Sequence, residues 1–385
     1  MSPRSIFNRK KPIVRGITAI SIVSAIIILV IFVLPTGNLF TNIISSYYLP
    51  SPKTTSASVD IEEEKHIVPL DQIVSGGPPP DGIPSIDNPK FIPVQEADKF
   101  LQDSDLVLGL SIKGDIRSYP LQILVWHEIV NDNVGGAPVA VTYCPLCFTN
   151  QVFNRTIDGN IVVQFGTSGK LYNSNLVMYD RTSKSLWSQT LAQAIVGKYA
   201  GQKLQRIPFD IAYWKEWKQL YPNTKVLSRD TGSNRPYGAD PYDGYYTSNE
   251  VLFPVSNHDN RLGLKEIIVG LENDGQYKAY KLKEIQDRKV INDKINGNKS
   301  ITIFSSLYPF IVRAYNPIVN GQTLEFIYNV KNNSFIDKQT GSEWNFDGVA
   351  INGQMKAKQL TRLPFDEGFW FEWVAFHPQT GIYPR

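Results

Sequence analysis

Hydrophobic and polar positions alternate in short bursts along most of this chain. "LVLGLSI" (106–112), then "KGD", then "IRSYPL" reads as a hairpin closed by a glycine-containing turn. "VAVTY" (139–143) is a β-branched run that ends at Cys144. "NQVFNR" and "IVVQFG" flank "DGN" and read as another hairpin, and "NLVMYDRTSKSLW" as two strands about a polar turn. Helical spacing is rarer. "FDIAYWKEWKQLYPN" begins after Pro208, with Asp210 as its cap, and stops at Pro222. "LQILVWHEIVND" reads as a shorter helix. Many short strands and few helices predict a β-rich α+β fold.

One stretch breaks the alternation. Ile17 to Leu34 is apolar all round, eighteen residues without a charge. At a helical rise it spans about 27 Å, close to a hydrocarbon core. No small-x-small cleavage site follows it, so a retained anchor is expected rather than a cleaved signal peptide. Arg4, Arg9, Lys10, Lys11 and Arg15 precede the run, and no acid does. Positive flanks stay in the cytoplasm. The expectation is a cytoplasmic tail at 1–16, a single-pass bilayer anchor at 17–34 and everything later outside the cell membrane. Residues 35–66, rich in Pro, Ser and Thr and then acidic, read as a flexible tether. The chain carries +3 in total; five positive residues and no acid precede the anchor, which leaves a net −2 beyond it, so the ectodomain is mildly acidic. No basic run remains to support nucleic-acid binding.

Beyond the tether the chain resembles itself. "LQRIPFDIAYWKEWKQLYP" (204–222) aligns without a gap with "LTRLPFDEGFWFEWVAFHP" (360–378), nine of nineteen positions being identical. "DRTSKSLW" (180–187) matches "DKQTGSEW" (337–344), and "GLSIKGDIRSYPL" (109–121) parallels "GLENDGQYKAYKL" (270–282). "IVNDNVGG" (129–136) parallels "VINDKING" (290–297). Matches in one order predict an internal duplication: a first half at 67–258 and a degenerate second repeat at 259–385. With the "ND" positions in register, "VAVTYCPLC" faces "SITIFSSLY", so Cys144 stands against Ser305 and Cys147 against Tyr308. His127 and Glu128 face Arg288 and Lys289. A repeat that lacks the sulfurs points to the first half as the chemical one.

Cys144 and Cys147 are the chain's two cysteines. Their spacing lets both sulfurs meet one metal or each other, and the outside of a cell permits disulfides. No helix is evident after the motif, which argues against a thioredoxin fold. Haem attachment needs His after the second Cys, and position 148 is Phe. A structural zinc site needs about four ligands, and His127 is the nearest candidate to join the pair. His127 beside Glu128 could also tune a thiolate, although a lone His is commonly a packing residue. Asp81 and Asp87 in "DGIPSIDNPKF", and Arg181 in "MYDR", are candidate pocket residues. "RPYGADPYDGYY" (235–246) packs acids and aromatics in a loop without a counterpart in the second half, and makes Tyr237 and Asp240 binding candidates.

Taken in order, "DGIPSIDNPKF", "WHEIVND", "PVAVTYCPLC", "FGTSGKL", "LVMYDR" and "SLW" resemble the family catalogued as domain of unknown function 3179, over roughly residues 67–250. The resemblance implies secreted or membrane-anchored proteins, some carrying selenocysteine in the CxxC region, and therefore redox chemistry at Cys144 or Cys147. Phe148 departs from the small residue common there. The resemblance implies no substrate or cofactor. Three readings stand at this point. The first is a thiol–disulfide oxidoreductase with a redox partner protein, using Cys144 as nucleophile, Cys147 as resolving thiol, His127 as tuning base and Glu128 to orient it. The second is a copper- or zinc-binding protein using Cys144, Cys147 and His127. The third is a non-catalytic surface module that binds a glycan or protein.

Overall fold

A computed structural model describes residues 64–384, apart from 296, 298 and 307–310. The tail at 1–16, the apolar run at 17–34 and nearly all of the tether at 35–66 lie outside the described residues. Among the described residues no helix is long and apolar enough to cross a membrane.

The protein is β-rich with few helices, as the alternating pattern requires. Leu106–Ile112 and Asp115–Pro120 form the expected hairpin, in register from Val107 opposite Pro120 to Ile112 opposite Asp115. Ile129–Val134, Ala137–Cys144 and Thr149–Asn154 follow as an antiparallel meander. Three local expectations shift. In "LQILVWHEIVND" the helix is confined to Leu121–Leu124, and Ile129–Val134 is a strand. Glu128, with φ 58°, ends the helical turn and re-aims the chain. In "FDIAYWKEWKQLYPN" the strand Asp210–Tyr213 precedes the helix Trp214–Leu220. Asp210 is not a cap, because Arg313 and Arg362 bind it in the interior. Glu216 instead accepts the Tyr213 N–H at 3.4 Å. Finally, Thr149–Asn154 pairs with Ala137–Cys144, leaving only the two-residue ladder of Thr156–Ile157 with Ile161–Val162 around "DGN".

Two sheets share one strand plan. Asp210–Tyr213, Leu106–Ile112, Asp115–Pro120 and Lys225–Leu227 lie in that order, the last pairing being parallel. Asp366–Phe369, Ile267–Asn273, Gln276–Lys281 and Gly381–Tyr383 follow the same order with the same parallel last pairing. In each, a seven-residue helix, Trp214–Leu220 or Trp370–Phe376, lays a Trp ring on a strand glycine. A Cβ on Gly109 would sit 2.2 Å from Trp217, and one on Gly270 2.4 Å from Trp373, so neither strand tolerates a side chain there. The indole N–H groups close matching bonds: Trp217 to Thr224 Oγ1 at 3.0 Å and Trp373 to Thr380 Oγ1 at 2.9 Å. Trp187 donates to Asp180 at 3.0 Å, and Trp344 to Asp337 at 2.9 Å.

The two stretches interleave. Asp366–Phe369 also pairs with Thr149–Asn154, setting Glu367 opposite Asn150. The resulting sheet joins three strands from before residue 259 to four from after it. Its apolar core draws on Val141 and Phe153 together with Val269 and Tyr280. This geometry also corrects the alignment of the cysteines. Ile129 pairs with Thr142, whereas Val290 pairs with Phe304. Val134 pairs with Ala137 across two intervening residues, Ile295 with Lys299 across three. Cys144 therefore stands against Ser306, not Ser305, and the counterpart of Cys147 moves from Tyr308 to position 309. Both 308 and 309 lie outside the described residues.

Candidate functional site

Cys144 ends its strand and pairs with Thr149, so the cysteine turn is a hairpin loop. The Cys147 N–H donates to the Cys144 carbonyl at 3.3 Å, and Phe148 takes φ 57° to re-enter the next strand. That loop brings the two sulfurs to 3.6 Å. A disulfide requires about 2.0 Å, so these are free thiols, both buried. The Cys147 thiol donates to the Ser174 carbonyl at 3.0 Å. Burial pushes this thiol well above its ordinary pKa, and the hydrogen bond and charge of Cys144 and the charge of Glu372 add to the shift.

Glu372 reaches the site from the far end of the chain. The N–H of Phe369 donates to the Cys147 carbonyl at 2.8 Å and so docks the start of the Trp370–Phe376 helix on the cysteine turn. Glu372 sits in that first turn, where Glu216 caps the matching helix. Here it turns away from its own backbone and accepts the Thr190 hydroxyl. Burial pushes its carboxyl up to about 8. It can therefore take or release a proton near neutral pH.

A tyrosine loop covers the other side. Tyr245 donates to the Leu146 carbonyl at 2.9 Å, between the cysteines. Tyr246 and Tyr143 bring their hydroxyls to 3.4 Å. Lys265 lies 3.3 Å above the Tyr245 ring and donates to its carbonyl. Burial pushes Lys265 down to about 8. Tyr237 and Asp240, chosen from sequence as binding residues, fasten this loop. The Tyr237 hydroxyl meets His127 Nε2 at 2.5 Å and Thr231 Oγ1 at 2.6 Å. Asp240 accepts the Tyr242 N–H at 2.8 Å and the Tyr246 hydroxyl at 3.4 Å.

His127 is thus engaged away from the sulfurs. Its Nδ1 lies 2.6 Å from the Pro84 carbonyl. Burial lowers its pKa, with the Pro84 bond opposing and Arg235 adding, so the ring is held neutral. Glu128 is closer to the pair: its carbonyl accepts the N–H of Tyr143, next to Cys144, at 2.8 Å. Burial alone pushes its carboxyl up to about 8. Asp81, Asp87 and Arg181 do come together. Arg181 donates to Asp87, to Asp81 at 3.1 Å and to Ser85 at 2.7 Å. Tyr179 and Asn131 take up the remaining carboxylate oxygens, at 2.5 and 2.7 Å. These bonds pin the "DGIPSID" loop to the neighbouring sheet, and the buried Arg181 Nε has no hydrogen-bond partner. Among the described residues no three His, Cys, Asp or Glu side chains are grouped to hold a metal.

Sequence reading missed Glu372, Asp366 and Glu367. Glu372 is identical to Glu216 in the repeat alignment, so nothing set it apart. Glu367 carried a usable signal, since it is a carboxylate where the aligned strand has Ile211. No curated protein and no solved structure matches this chain. A family model described as protein of unknown function (DUF3179) matches residues 80–380, spanning the cysteine turn, the tyrosine loop and the helix that carries Glu372. The chain belongs to that family.

Proposed function

We propose that this chain is a membrane-anchored, extracytoplasmic dithiol–disulfide redox protein working through Cys144 and Cys147, and that its interleaved stretches are diverged copies of one unit. The observation that carries the redox reading is the turn itself. Two free thiols stand 3.6 Å apart in one hairpin loop, about 1.6 Å from bonding distance, and the charge of a buried carboxyl, Glu372, bears on Cys147. A structural thiol pair needs no such carboxyl. The shared strand plan and the paired Trp contacts support the duplication. The uncharged run at 17–34, with cationic residues only before it, supports the anchor and its orientation.

In this reading Cys144 attacks a disulfide of a partner, forming a Cys144–partner bond and releasing one partner thiol. Cys147 then attacks Cys144 Sγ, forming the internal disulfide and releasing the second partner thiol. The pair loses two electrons and the partner gains them. Cys147 is held as a thiol by burial and Ser174, which suits the resolving role. The test is a trap. In Cys147→Ser the mixed disulfide between Cys144 and a small aromatic disulfide should accumulate, whereas Cys144→Ser should trap little. Equal trapping by the two variants overturns the assignment of roles.

A further inference from the structure

The two contacts between the interleaved stretches follow one plan but carry unequal sets of charge. At one, the buried Arg313 donates to both oxygens of Asp210, at 3.0 and 2.7 Å. It also donates to Asp347, and to the Tyr221 hydroxyl at 3.0 Å. Arg362 donates to the same Asp210 carboxylate at 2.5 Å. Burial alone would raise the Asp210 carboxyl, but the two guanidinium groups outweigh it and hold it below its ordinary value. One buried acid thus accommodates two guanidinium groups side by side.

At the other contact, Phe153 bridges Arg206 as Tyr315 pairs with Arg362, which places Gln151 where Arg313 stands. The alignment of 204–222 with 360–378 sets Asp366 in the place of Asp210 and His377 in that of Tyr221. Thr190 follows Asp180 at the interval at which Asp347 follows Asp337. Each partner of Arg313 therefore has a counterpart, while the guanidinium itself is replaced by a shorter, uncharged amide. The groups that would meet it are left over. Asp366 Oδ1, His377 Nε2 and Gln151 Nε2 are buried and have no hydrogen-bond partner among the described residues. These three residues are 4, 6 and 1% exposed, and a buried polar atom without a partner is uncommon in a folded protein. Glu367, in the place of Ile211, adds a carboxyl whose two oxygens are also unpartnered. Against Asp366, Glu367 and Glu372, Arg206 supplies the one ion pair among the described residues, at 3.5 Å from Asp366. This contact is short of one cation, and its twin shows which kind the plan takes.

The contact also opens to solvent. A cleft of about 220 Å³ is lined by Arg206, Glu272, Lys299 and Asp366, with Ile295 and Ile301 among its apolar walls. Glu272 and Lys299 are exposed and Asp366 is buried, so the inner end of the cleft is acidic. We infer that this cleft binds a small alkylguanidinium, whose head group takes on Asp366 the place that Arg313 holds on Asp210. A planar guanidinium matches a carboxylate through two parallel N–H bonds, which an ammonium does not. Arg206 does not exclude it, because Arg362 and Arg313 share Asp210 in the same way. His377, the counterpart of the Tyr221 hydroxyl, offers a ring nitrogen as a further acceptor. The alkyl chain lies along Ile295 and Ile301 toward the mouth. The volume holds a head group and a short chain, and is below that of a pocket for a drug-sized ligand. The inference does not depend on the redox reading.

The test is isothermal calorimetry on the full chain in detergent with n-butylguanidinium, and with n-butylurea as its uncharged analogue. The guanidinium should fill one saturable site and raise the unfolding temperature by roughly 2 °C or more at saturation, and the urea should do neither. N-acetylarginine amide tells a free guanidine from an arginine side chain. Binding at least about tenfold weaker than n-butylguanidinium supports a free guanidine, and equal affinity supports the same site with a peptide arginine as its source. Gln151→Arg supplies the guanidinium from within, so it should unfold at a higher temperature than wild type and lose the calorimetric signal. Asp366→Asn should lose the signal as well. No saturable heat with wild type, or undiminished heat in folded Gln151→Arg, overturns the inference. Should Gln151→Arg fail to fold, undiminished heat in Asp366→Asn does so.

Discussion

A carboxyl group buried without a counter-charge keeps its proton or destabilises the fold. Glu128 is such a group. Its counterpart in the other hairpin is Lys289, which shares the unusual backbone (φ 66° against 58°) and donates to the Ser306 carbonyl at 3.0 Å. The same strained position thus carries an acid in one hairpin and a base in the other, the acid being on the cysteine side. Burial holds Glu128 protonated up to about pH 8, whereas the unfolded chain releases that proton near 4.5. Between these values the folded state binds the extra proton, so stability falls as pH rises, by roughly 1.4 kcal/mol per unit for this group. The contribution is fully present below pH 4.5 and lost as pH passes 8. Denaturant unfolding at pH 5 and 7.5 should show wild type losing up to roughly 3 kcal/mol more than Glu128→Gln over that interval. Identical pH dependence in the two proteins would show that Glu128 is ionised in the fold.

The tyrosine loop packs over the cysteine turn, and the path to the buried sulfurs is expected to run beneath it. It is held at one end by Trp126, whose indole N–H meets the Ala239 carbonyl at 3.1 Å, and by His127 at Tyr237. At the other end Tyr245 holds the Leu146 carbonyl. The "WH" dipeptide thus acts on the cysteines through the loop, not by touching sulfur. Tyr245→Ala removes a hydrogen bond and a buried ring, together about 2–3 kcal/mol of cover. Alkylation of Cys144 by a maleimide should then accelerate at least about tenfold, because the open population rises with that loss. A rate equal to wild type would place the path to the sulfurs elsewhere.

The whole molecule explains what could and could not be read from the chain. Local patterns were legible: the hairpin at Lys113, the strand that ends at Cys144, and the Trp-bearing segments. The cysteine turn was legible because four residues fix it. The partners of His127, Pro84 and Tyr237, were not legible, because its position depends on where a four-residue helix gives way to strand, and one positive φ at Glu128 decides that. Glu372 could not be found, because the pairing of Glu367 with Asn150 joins residues more than two hundred positions apart. No periodicity encodes that partnership. The comparison of the two contacts also became possible only after folding, when Gln151 was seen to stand where Arg313 does. The most direct test of the central claim is a redox titration of the full chain in dithiothreitol buffers, quenched by mass-tagged alkylation. The account predicts that Cys144 and Cys147 lose their tags together in one reversible two-electron transition, at a potential above about −300 mV, as a labile pair requires. Two thiols that stay tagged across the whole range, or that oxidise without recovering, would contradict it.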